Sequence, residues 1–444
     1  MACFVLMMKI KNMEKKLKIV WICHFSNETV RKHLPLDNRK LYNIVRRILG
    51  MPVKGRGYTD VASWNTTFFE YFKQRDDVDL TVISAHGGLK KNVVNFSEEG
   101  IHYFFVKCDY ATLLKRLIRI PSLWHRLNPM RPIVRNIVHK VNPDIVALMG
   151  AENAYISGTI LGLEKEYPCI FKAQTIYNNP NRGKVGVVDP HNAYVEKLIF
   201  DALPYASVST KMHYEMYRKY RKDSYNFQWE FGTTFTPIEK VETKEYDFVN
   251  FANSMIPAKG YPDAIMALAI VKKTHPNVKL NLVGSPTPQD EKLYHDLVAE
   301  FDLKENVVFT PSFELQKDVF QHIQKARFAL LPYKLDYISS TTWQAMYYEM
   351  PVICYKTMGT PTINADKECI LIAEMENVES LAEKMLVLLE NPGKADELRK
   401  NAKQLVDNRN DGIKITNEIV RNFRAIVNNY NNGTPIPEEY LLTF

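Results

Sequence analysis

The chain has 444 residues, too many for one ordinary hydrophobic core and suited to two domains of about 200 residues each. Hydrophobic residues make up 46% of the chain and charged residues 24%, a globular balance that argues against a disordered protein. The net charge of +8 permits an anionic ligand or an anionic membrane surface without requiring either. No apolar run approaches the roughly 20 residues of a membrane-spanning helix.

The N-terminus and the cysteines indicate the compartment. Residues Met1 to Met8 are apolar but precede their lysines and show no small-residue cleavage site, which disfavours a signal peptide and places the start of the fold near Lys16. Of the six cysteines, Cys23, Cys169 and Cys354 lie inside apolar runs that resemble strands, and no C-x-x-C pair occurs. Reduced core cysteines and a cytoplasmic location are the expectation.

The first half of the chain alternates strands and helices irregularly. Its hydrophobic pattern predicts, in chain order, strand Lys18–Cys23, helix Thr66–Lys73, strands Leu80–Ile83 and Ile101–Val106, helix Ile133–Val141, strands Asp144–Leu148 and Cys169–Ala173, helix Glu196–Asp201 and strand Ser207–Ser209.

The second half alternates more regularly. It predicts strand Asp247–Asn253, helix Tyr261–Lys273, strand Val278–Val283, helix Asp290–Phe301, strand Val307–Thr310, helix Val319–Lys325, strand Phe328–Leu331, helix Thr342–Tyr348, strand Val352–Tyr355 and helix Val378–Leu389. Strand-helix alternation with short connections predicts an α/β protein whose parallel sheets carry helices on both faces.

The domain boundary is predicted where prolines and charges interrupt this pattern, between Pro237 and Tyr246. The predicted domains are residues 16–238 and 245–410. The terminal segment 411–444, with a helix over Asp411–Asn429, can return to pack on the first domain.

Two short segments of the second half have the features of a phosphate-binding site. Lys259, in Pro257-Ala258-Lys259-Gly260, follows a strand and precedes a helix, where ligands of parallel sheets bind. The hydroxyl-rich run Ser339-Ser340-Thr341-Thr342 can cap the next such helix and leave its first amides for a diphosphate. Taken singly, a solvated turn lysine and a plain helix cap explain them as well.

Together these segments resemble the donor domain of GT-B glycosyltransferases, specifically the retaining family four, or group 1. The resemblance covers about Asp247–Leu389 and rests on Phe251–Gly260, Leu282-Val283-Gly284, Asn306–Phe313, Ala329-Leu330-Leu331-Pro332, Gln344–Val352 and Gly359-Thr360-Pro361. It implies two facing Rossmann-like domains of doubly wound parallel sheets, retention at the anomeric carbon and no essential metal. It also makes residues 327–355 one wall of the nucleotide-sugar pocket.

The resemblance implies a set of donor residues. Lys259 would hold the diphosphate, with amides around Ser339, Ser340 and Thr341 completing the cradle. The other donor positions are Ser254, Gly284, Phe313, Asp336 and Gln344. It implies no cofactor beyond the nucleotide-diphosphate sugar substrate, for which a UDP-sugar is common in the family.

The chain departs from the family pattern at four of its positions. The two family glutamates are replaced by Asp336, which keeps a carboxylate for the donor sugar, and by Gln344, which can still bond a ribose hydroxyl. The family's arginine ahead of the lysine falls at Ser254. Its histidine near the reacting centre aligns roughly with Gln174, which cannot act as a base. Because Lys259 and Asp336 remain, an active subgroup is favoured over a decayed relative.

Four residues of the first half are candidates for the acceptor side. His24, His86 and Glu152 each follow a predicted strand, where side chains face a ligand in parallel sheets. His191 lies in a segment that resembles the helix flanking the family's cleft. A satisfied loop residue or a surface position is the competing interpretation for each. The D-x-D sequence Asp77-Val78-Asp79 is interpreted as a solvated turn, and no metal site is expected.

Residues 111–140 carry seven basic residues, no acidic residue and interleaved apolar residues that include Trp124. Such a segment can lie on an anionic membrane surface and bring the enzyme to a lipid-linked acceptor on the inner face of the cell membrane. An ordinary solvated basic face explains it equally well. No nucleic-acid-binding motif is visible, so no nucleic-acid partner is expected.

The predicted function is that of a hexosyltransferase-type glycosyltransferase. It would move a sugar from a nucleotide-diphosphate sugar to a glycan or lipid-linked acceptor in the synthesis of cell-surface polysaccharide or glycoconjugate. Two alternatives stay open. One is a non-catalytic binding subunit of a glycosylation complex. The other is a sugar-nucleotide epimerase on the same fold, which the glutamines at 174 and 344 disfavour because they cannot exchange protons.

Overall fold

The computed structural model describes residues 15–37, 39–51, 61–174, 176–179, 188–208, 211–229, 236–239, 241–334 and 338–442. They fall into two compact units. The first unit takes the described residues of Met1–Asn179, Val188–Phe231 and Gly412–Phe444, and the second takes those of Gly232–Asp411.

The first unit is built on an eight-stranded sheet. Its strands are β1 Leu17–Cys23, β2 Val78–His86, β3 Val93–Glu98, β4 Ile101–Lys107, β5 Ile145–Met149, β6 Cys169–Lys172, β7 Tyr205–Ser207 and β8 Tyr225–Phe227. The order is β3-β4-β2-β1-β5-β6-β7-β8. Only β3 runs antiparallel to its neighbour β4 among the described strands. The central strand β1 is buried because its continuous apolar run can be covered on both faces.

Helices cover both faces of this sheet. They are α1 Glu28–Arg31, α2 Lys40–Ile48, α3 Ser63–Phe72, α4 Asp109–Leu117, α5 Pro121–Leu127, α6 Met130–Val141, α7 Ala154–Ser157, α8 Pro190–Ala202 and α9 Lys211–Tyr220, with short 3-10 turns at Gly158–Ile160 and Leu163–Lys165. The two faces bury two separate apolar clusters, one around Val134 and Ile199 and one around Trp21 and Phe69.

The second unit has a six-stranded sheet in which every pair is parallel. Its strands are β9 Tyr246–Ser254, β10 Leu280–Ser285, β11 Val307–Thr310, β12 Ala326–Leu331, β13 Val352–Tyr355 and β14 Leu371–Ala373, in the order β11-β10-β9-β12-β13-β14. Its helices are α10 Tyr261–Lys272, α11 Pro288–Glu300, α12 Gln316–Ile323, α13 Ser340–Tyr347, α14 Thr360–Ile363, α15 Val378–Glu390 and α16 Pro392–Arg409. The two faces again bury separate apolar clusters.

The last helix, α17 Gly412–Asn432, belongs to the first unit. Its Phe423 ring lies 5.9 Å from the ring of Trp21 and 5.8 Å from that of Trp229. Arg75 donates a hydrogen bond to the side chain of Asn417 on the same helix. A 3-10 turn, Glu438–Tyr440, follows it.

Both units confirm the predicted α/β architecture, but several details of the prediction were wrong or incomplete. The prediction missed the antiparallel strand β3 and the short strands β8 and β14. Among the described residues it also missed eight helices, which are α1, α2, α4, α5, α7, α9, α14 and α16. Strand β2 begins at Val78, so Asp79 lies in the strand and not in a turn. Asp77 pairs with Arg75 at 2.8 Å, and that hydrogen bond lowers the pKa of the Asp77 carboxyl. Among the described residues, no group of three His, Cys, Asp or Glu side chains could hold a metal ion.

The basic segment 111–140 forms three short helices, α4 to α6, and not one amphipathic stretch. Its aromatic residue is not exposed, because Trp124 is fully buried and donates to the carbonyl of Ala111 at 3.2 Å. Lys115 is paired with Asp189 at 2.9 Å, and Arg135 is paired with Glu166. Among the helices of the described residues, none combines the length and apolar character needed to cross a bilayer.

Burial of three histidines predicts that the first unit loses stability in acid. Burial lowers the pKa of His24, His125 and His213 from 6.5 to about 4, and neighbouring cationic side chains add to the shift. The unfolded chain, with histidine pKa values near 6.5, therefore takes up protons that the folded unit excludes. Stability is fully present above pH 6.5 and falls as the pH drops towards 4.

We expect the melting temperature of the first unit to fall between pH 6.5 and 4, and the His125→Gln variant to show a shallower fall. Thermal unfolding followed by circular dichroism across this range measures both slopes. The matched control is His139→Gln, because His139 lies on the exposed face of α6. An equal slope for wild type and His125→Gln contradicts the assignment for that ring.

Candidate functional site

The turn after β9 is held in one shape by the segment after β12. Residues Pro257–Lys259 form a 3-10 turn, and Gly260 follows with a φ of 68°. A Cβ on Gly260 would lie 2.2 Å from the carbonyl oxygen of Pro332, so only glycine fits. The backbone amide of Lys334 donates to the carbonyl of Ala258 at 3.0 Å. These contacts place Lys259 at the carboxyl edge of the sheet.

The side chain of Lys259 packs against an aromatic ring. Its Nζ lies 4.3 Å from the ring centroid of Tyr333, a cation–π contact. The Tyr333 hydroxyl donates to the carbonyl of Phe251 at 2.6 Å, which fixes the ring against β9. Lys259 is half-buried, so its ammonium group stands at the edge of the unit. Tyr333 was not predicted as a site residue. The sequence signal that could have identified it is its position directly after the Ala329–Pro332 motif.

The helix α13 begins at the same edge. Ser339 is its N-cap, and the side-chain oxygen accepts from the amide of Thr341 at 3.2 Å. Ser339, Ser340 and Thr341 are half-buried, and Gln344 is buried one turn further along. Helix amides in this position attract an anion. Asp336, the predicted donor carboxylate, lies outside the described residues.

An ion pair ties the end of β12 to α10. Lys334 Nζ lies 2.9 Å from Oδ2 of the buried Asp263, and the Tyr355 hydroxyl donates to Oδ1 of Asp263 at 2.9 Å. This pair joins the carboxyl ends of β12 and β13 to the helix that follows Lys259. It was not predicted, because the three residues are far apart in the sequence.

Gly284 brings the ends of β9 and β10 together. A Cβ there would lie 2.4 Å from the carbonyl oxygen of Ala252, and the φ of 149° is one that other residues rarely adopt. The register shifts at this point, so that Ser285 pairs with Ser254, which is exposed. Phe313 is half-buried beyond β11, with its ring 5.2 Å from that of His322. All three predicted donor positions therefore lie beyond or at the carboxyl ends of strands.

The first unit has its own cluster at the carboxyl edge of its sheet. The Tyr155 hydroxyl lies 3.3 Å from Nδ1 of His24, within hydrogen-bonding distance. Burial and the nearby His86 lower the pKa of His24 to about 4, so its ring is neutral at pH 7. Burial, Cys108 and the Glu152 carboxyl raise the pKa of Tyr155, which stays protonated. A neutral imidazole beside a phenol can hydrogen-bond a sugar hydroxyl.

Glu152 reaches the same edge through the loop after β5. Gly150 precedes it with a φ of 77°, and a Cβ on Gly150 would lie 2.3 Å from the Glu152 carboxylate. The carboxylate is therefore folded back over a glycine that leaves room for it. His86 is the last residue of β2, not a residue of the following loop, and its Nδ1 lies 2.7 Å from the carbonyl of Gly87. Tyr155 was missed because nothing in the sequence links it to His24, 131 positions away.

The other two predicted residues of the first unit lie in different surroundings. His191 is buried on α8, so the alternative interpretation of a surface position is wrong. Its Nε2 lies 2.8 Å from the carbonyl of Ile118, and its ring stands 5.4 Å from Trp124. These contacts hold α8 to α5 and the end of α4. Gln174 is half-buried, two residues after β6.

Part of the chain matches a known family model, and the fold resembles several solved structures. Residues 234–405 match the model of the family described as "Glycosyl transferases group 1". Sucrose-phosphate synthase from Thermosynechococcus elongatus has a similar structure, with 13% identity, 93% of this chain and 98% of that chain covered, and a TM-score of 0.62. No curated protein sequence matches the chain significantly.

Two further structures contain nucleotide ligands. An E. coli structure described as trehalose-6-phosphate bound with UDP-2-fluoro glucose is 8% identical, with 92% of this chain and 99% of that chain covered and a TM-score of 0.63. HepE of Anabaena in complex with UDP is 13% identical, with 92% and 100% covered and a TM-score of 0.59. At these identities the likeness is one of fold, and it confirms the predicted pair of parallel-sheet domains.

Proposed function

We propose a sugar-transfer reaction for this chain, because residues 234–405 match the glycosyl transferases group 1 and the two units have the GT-B fold. These two findings confirm the predicted resemblance and indicate a glycosyltransferase. The donor in this proposal is a nucleotide-diphosphate sugar. The acceptor is a glycan or a lipid-linked glycan, and the configuration at the anomeric carbon is retained.

The observation that carries the proposal is the setting of Lys259. Its ammonium lies over the Tyr333 ring at the carboxyl edge of the sheet, and the capped start of α13 lies at that same edge. A cation and a helix N-terminus both stabilise the negative charge that develops on a departing diphosphate. In this proposal these groups act on the diphosphate without a metal ion.

The remaining donor residues take roles that suit their chemistry. Asp336 orients hydroxyls of the donor sugar, and the amide of Gln344 bonds a ribose hydroxyl. Ser254, Gly284 and Phe313 line the donor position around the strand ends. Gln174 cannot accept a proton at neutral pH. The acceptor oxygen therefore bonds to the anomeric carbon as the bond to the diphosphate breaks, and its proton passes to the departing phosphate oxygen.

The proposed base is uracil. Support comes from HepE and the E. coli structure, whose ligands are UDP and a UDP-sugar. A thermal-shift screen with UDP-, GDP-, ADP- and CDP-sugars identifies the donor, and slow release of the nucleoside diphosphate from one of them supports transfer. Binding without release indicates a non-catalytic binding subunit. Absence of binding to every sugar nucleotide in calorimetry overturns the proposal.

The acceptor side of the proposal predicts a separate effect at His24. We expect His24→Ala to lower kcat/KM for the acceptor by about tenfold, because a hydrogen bond to an acceptor hydroxyl is lost. The Kd of the donor should not change, because His24 belongs to the first unit. Transfer assays with varied acceptor concentration and calorimetry with donor separate the two effects.

The control for this measurement is His139→Ala, which removes an exposed histidine from the same unit. It should transfer sugar at the wild-type rate. A His24→Ala variant that weakens the donor as much as it slows transfer would contradict an acceptor role.

A further inference from the structure

Helix α2 exposes its apolar side to solvent and buries an arginine. Its aliphatic residues face solvent, with Leu41 81% and Ile48 78% exposed and with Ile44 and Val45 also exposed. Their spacing of i, i+3, i+4 and i+7 forms one continuous stripe along the helix. In contrast, Arg46 is 1% exposed. An amphipathic helix ordinarily buries its apolar stripe, whereas the stripe of α2 is exposed.

The polar side of α2 anchors the helix to the unit. Arg46 donates to the Tyr42 hydroxyl at 3.4 Å, and that hydroxyl lies 3.2 Å from Oγ1 of Thr112 on α4. Arg39, directly before α2, pairs with the buried Asp109 at 3.3 Å. The outward orientation of the stripe is therefore held by hydrogen bonds and an ion pair on the opposite face.

Helix α4, which contacts α2, carries exposed cationic and apolar side chains at and just after its C-terminal end. Arg116 lies one helical turn after Thr112, so it shares the side of α4 that contacts α2. Arg116 and Arg119 are exposed, and so are Leu117 and Ile120. Within the described part of the chain, Arg116 and Arg119 form no ion pair. We call α2 with residues 116–120 the α2 surface.

The composition of the α2 surface identifies its partner. Residues 39–51 and 110–143 contain no aspartate or glutamate, while α2 and its neighbour supply several arginines. Exposed aliphatic side chains and exposed arginines occur together on this surface. An anionic bilayer offers the same two layers, an apolar interior beneath a negatively charged headgroup region. A protein partner would not require both a bare aliphatic stripe and a complete lack of carboxylates.

We propose that the α2 surface docks the protein on an anionic lipid bilayer, with the stripe of α2 entering the headgroup boundary and the arginines binding lipid phosphates. This inference does not depend on the transfer reaction. It moves the membrane contact from the basic segment 111–140 as a whole to α2 and the short segment 116–120. Arg39 also joins α2 to the Gly87-Gly88 turn at the carboxyl edge of β2, because the guanidinium occupies the space of a Gly87 side chain.

Vesicle sedimentation with the full chain tests the proposal. Wild type should bind vesicles of phosphatidylcholine and phosphatidylglycerol in equal parts, and bind pure phosphatidylcholine at least about tenfold more weakly. The double variant Leu41→Asp/Ile48→Asp should lose at least about tenfold in binding. The double variant Arg116→Glu/Arg119→Glu should lose about tenfold on the anionic vesicles only.

Matched controls distinguish the α2 surface from bulk hydrophobicity and net charge. Ile413→Asp removes another exposed aliphatic residue of the first unit, and Lys304→Glu/Lys400→Glu makes the same charge change in the second unit. Both should bind as wild type does. Because Leu41 and Ile48 are exposed, their substitution should leave the circular dichroism spectrum and the melting temperature unchanged.

Two results would overturn the proposal. The first is equal vesicle binding by wild type and Leu41→Asp/Ile48→Asp. The second is a wild-type dimer in sedimentation velocity that this variant dissociates, without vesicle binding by either protein. That outcome would assign the α2 surface to contact between copies of the chain.

Discussion

Lys259→Ala is expected to weaken the binding of the nucleotide-diphosphate sugar by about ten- to a hundredfold, the usual effect of losing a hydrogen bond to a charged group. The turn that carries Lys259 is held by Gly260 and by the Lys334 amide, so the rest of the donor position should persist. Calorimetric titration with the donor identified by the thermal-shift screen measures the Kd. Transfer should fall further than binding, because the lysine also opposes charge on the leaving diphosphate.

The control for Lys259 lies at the other end of α10. Lys273 is exposed beyond the last turn of that helix, and Lys273→Ala removes the same charge from the same unit. It should bind the donor as wild type does. An unchanged Kd in Lys259→Ala, with normal melting, would refute the phosphate role of this residue.

Gly284→Ala is expected to destabilise the second unit by roughly 3 to 5 kcal/mol, from the strain of a disallowed backbone conformation and a steric clash. The new Cβ would lie 2.4 Å from the Ala252 carbonyl oxygen and 2.6 Å from the Met255 side chain. Relief requires β9 and β10 to separate at the point where Ser285 pairs with Ser254. The melting temperature of this unit should fall by about 10 °C, measured by differential scanning calorimetry.

Gly393→Ala is the matched control, because Gly393 lies at the start of α16 in the same unit and its nearest neighbour would be 3.5 Å from a Cβ. It should melt at or slightly above the wild-type temperature, since alanine is the better helix former. If Gly284→Ala melts like Gly393→Ala, the close approach of β9 and β10 is not required for stability.

Five of the six strands described in the second unit were predicted from the sequence, and only the short β14 was missed. The predicted bounds of β11 and β13 agree with the structure, and those of β9 differ by one residue at each end. Strands buried on both faces form short continuous apolar runs, and the intervening helices show a different period, so the two separate clearly. The positions of Lys259 and Ser339 followed from this rhythm, because parallel strands bring their carboxyl ends to one edge.

Contacts between distant residues could not be predicted. Nothing in the sequence places Tyr155 beside His24 or Tyr333 beneath Lys259, because these contacts depend on strand order and loop paths. The buried position of His191 depends likewise on α5 and the end of α4 packing against its helix. Strand β3 was missed because it is short, only partly buried and antiparallel, so its residues give no continuous apolar run.

The sequence alone determined the fold class and the resemblance that identifies Lys259 and the start of α13 as donor candidates. These depend on local periodicity and on motifs whose residues are neighbours in the chain. Only the tertiary structure decided which face of α2 is buried and that its aliphatic stripe is exposed. The physical reason is that periodicity reveals two faces of a helix, whereas the hydrogen bonds of Tyr42 and Arg46 determine which face packs against the unit.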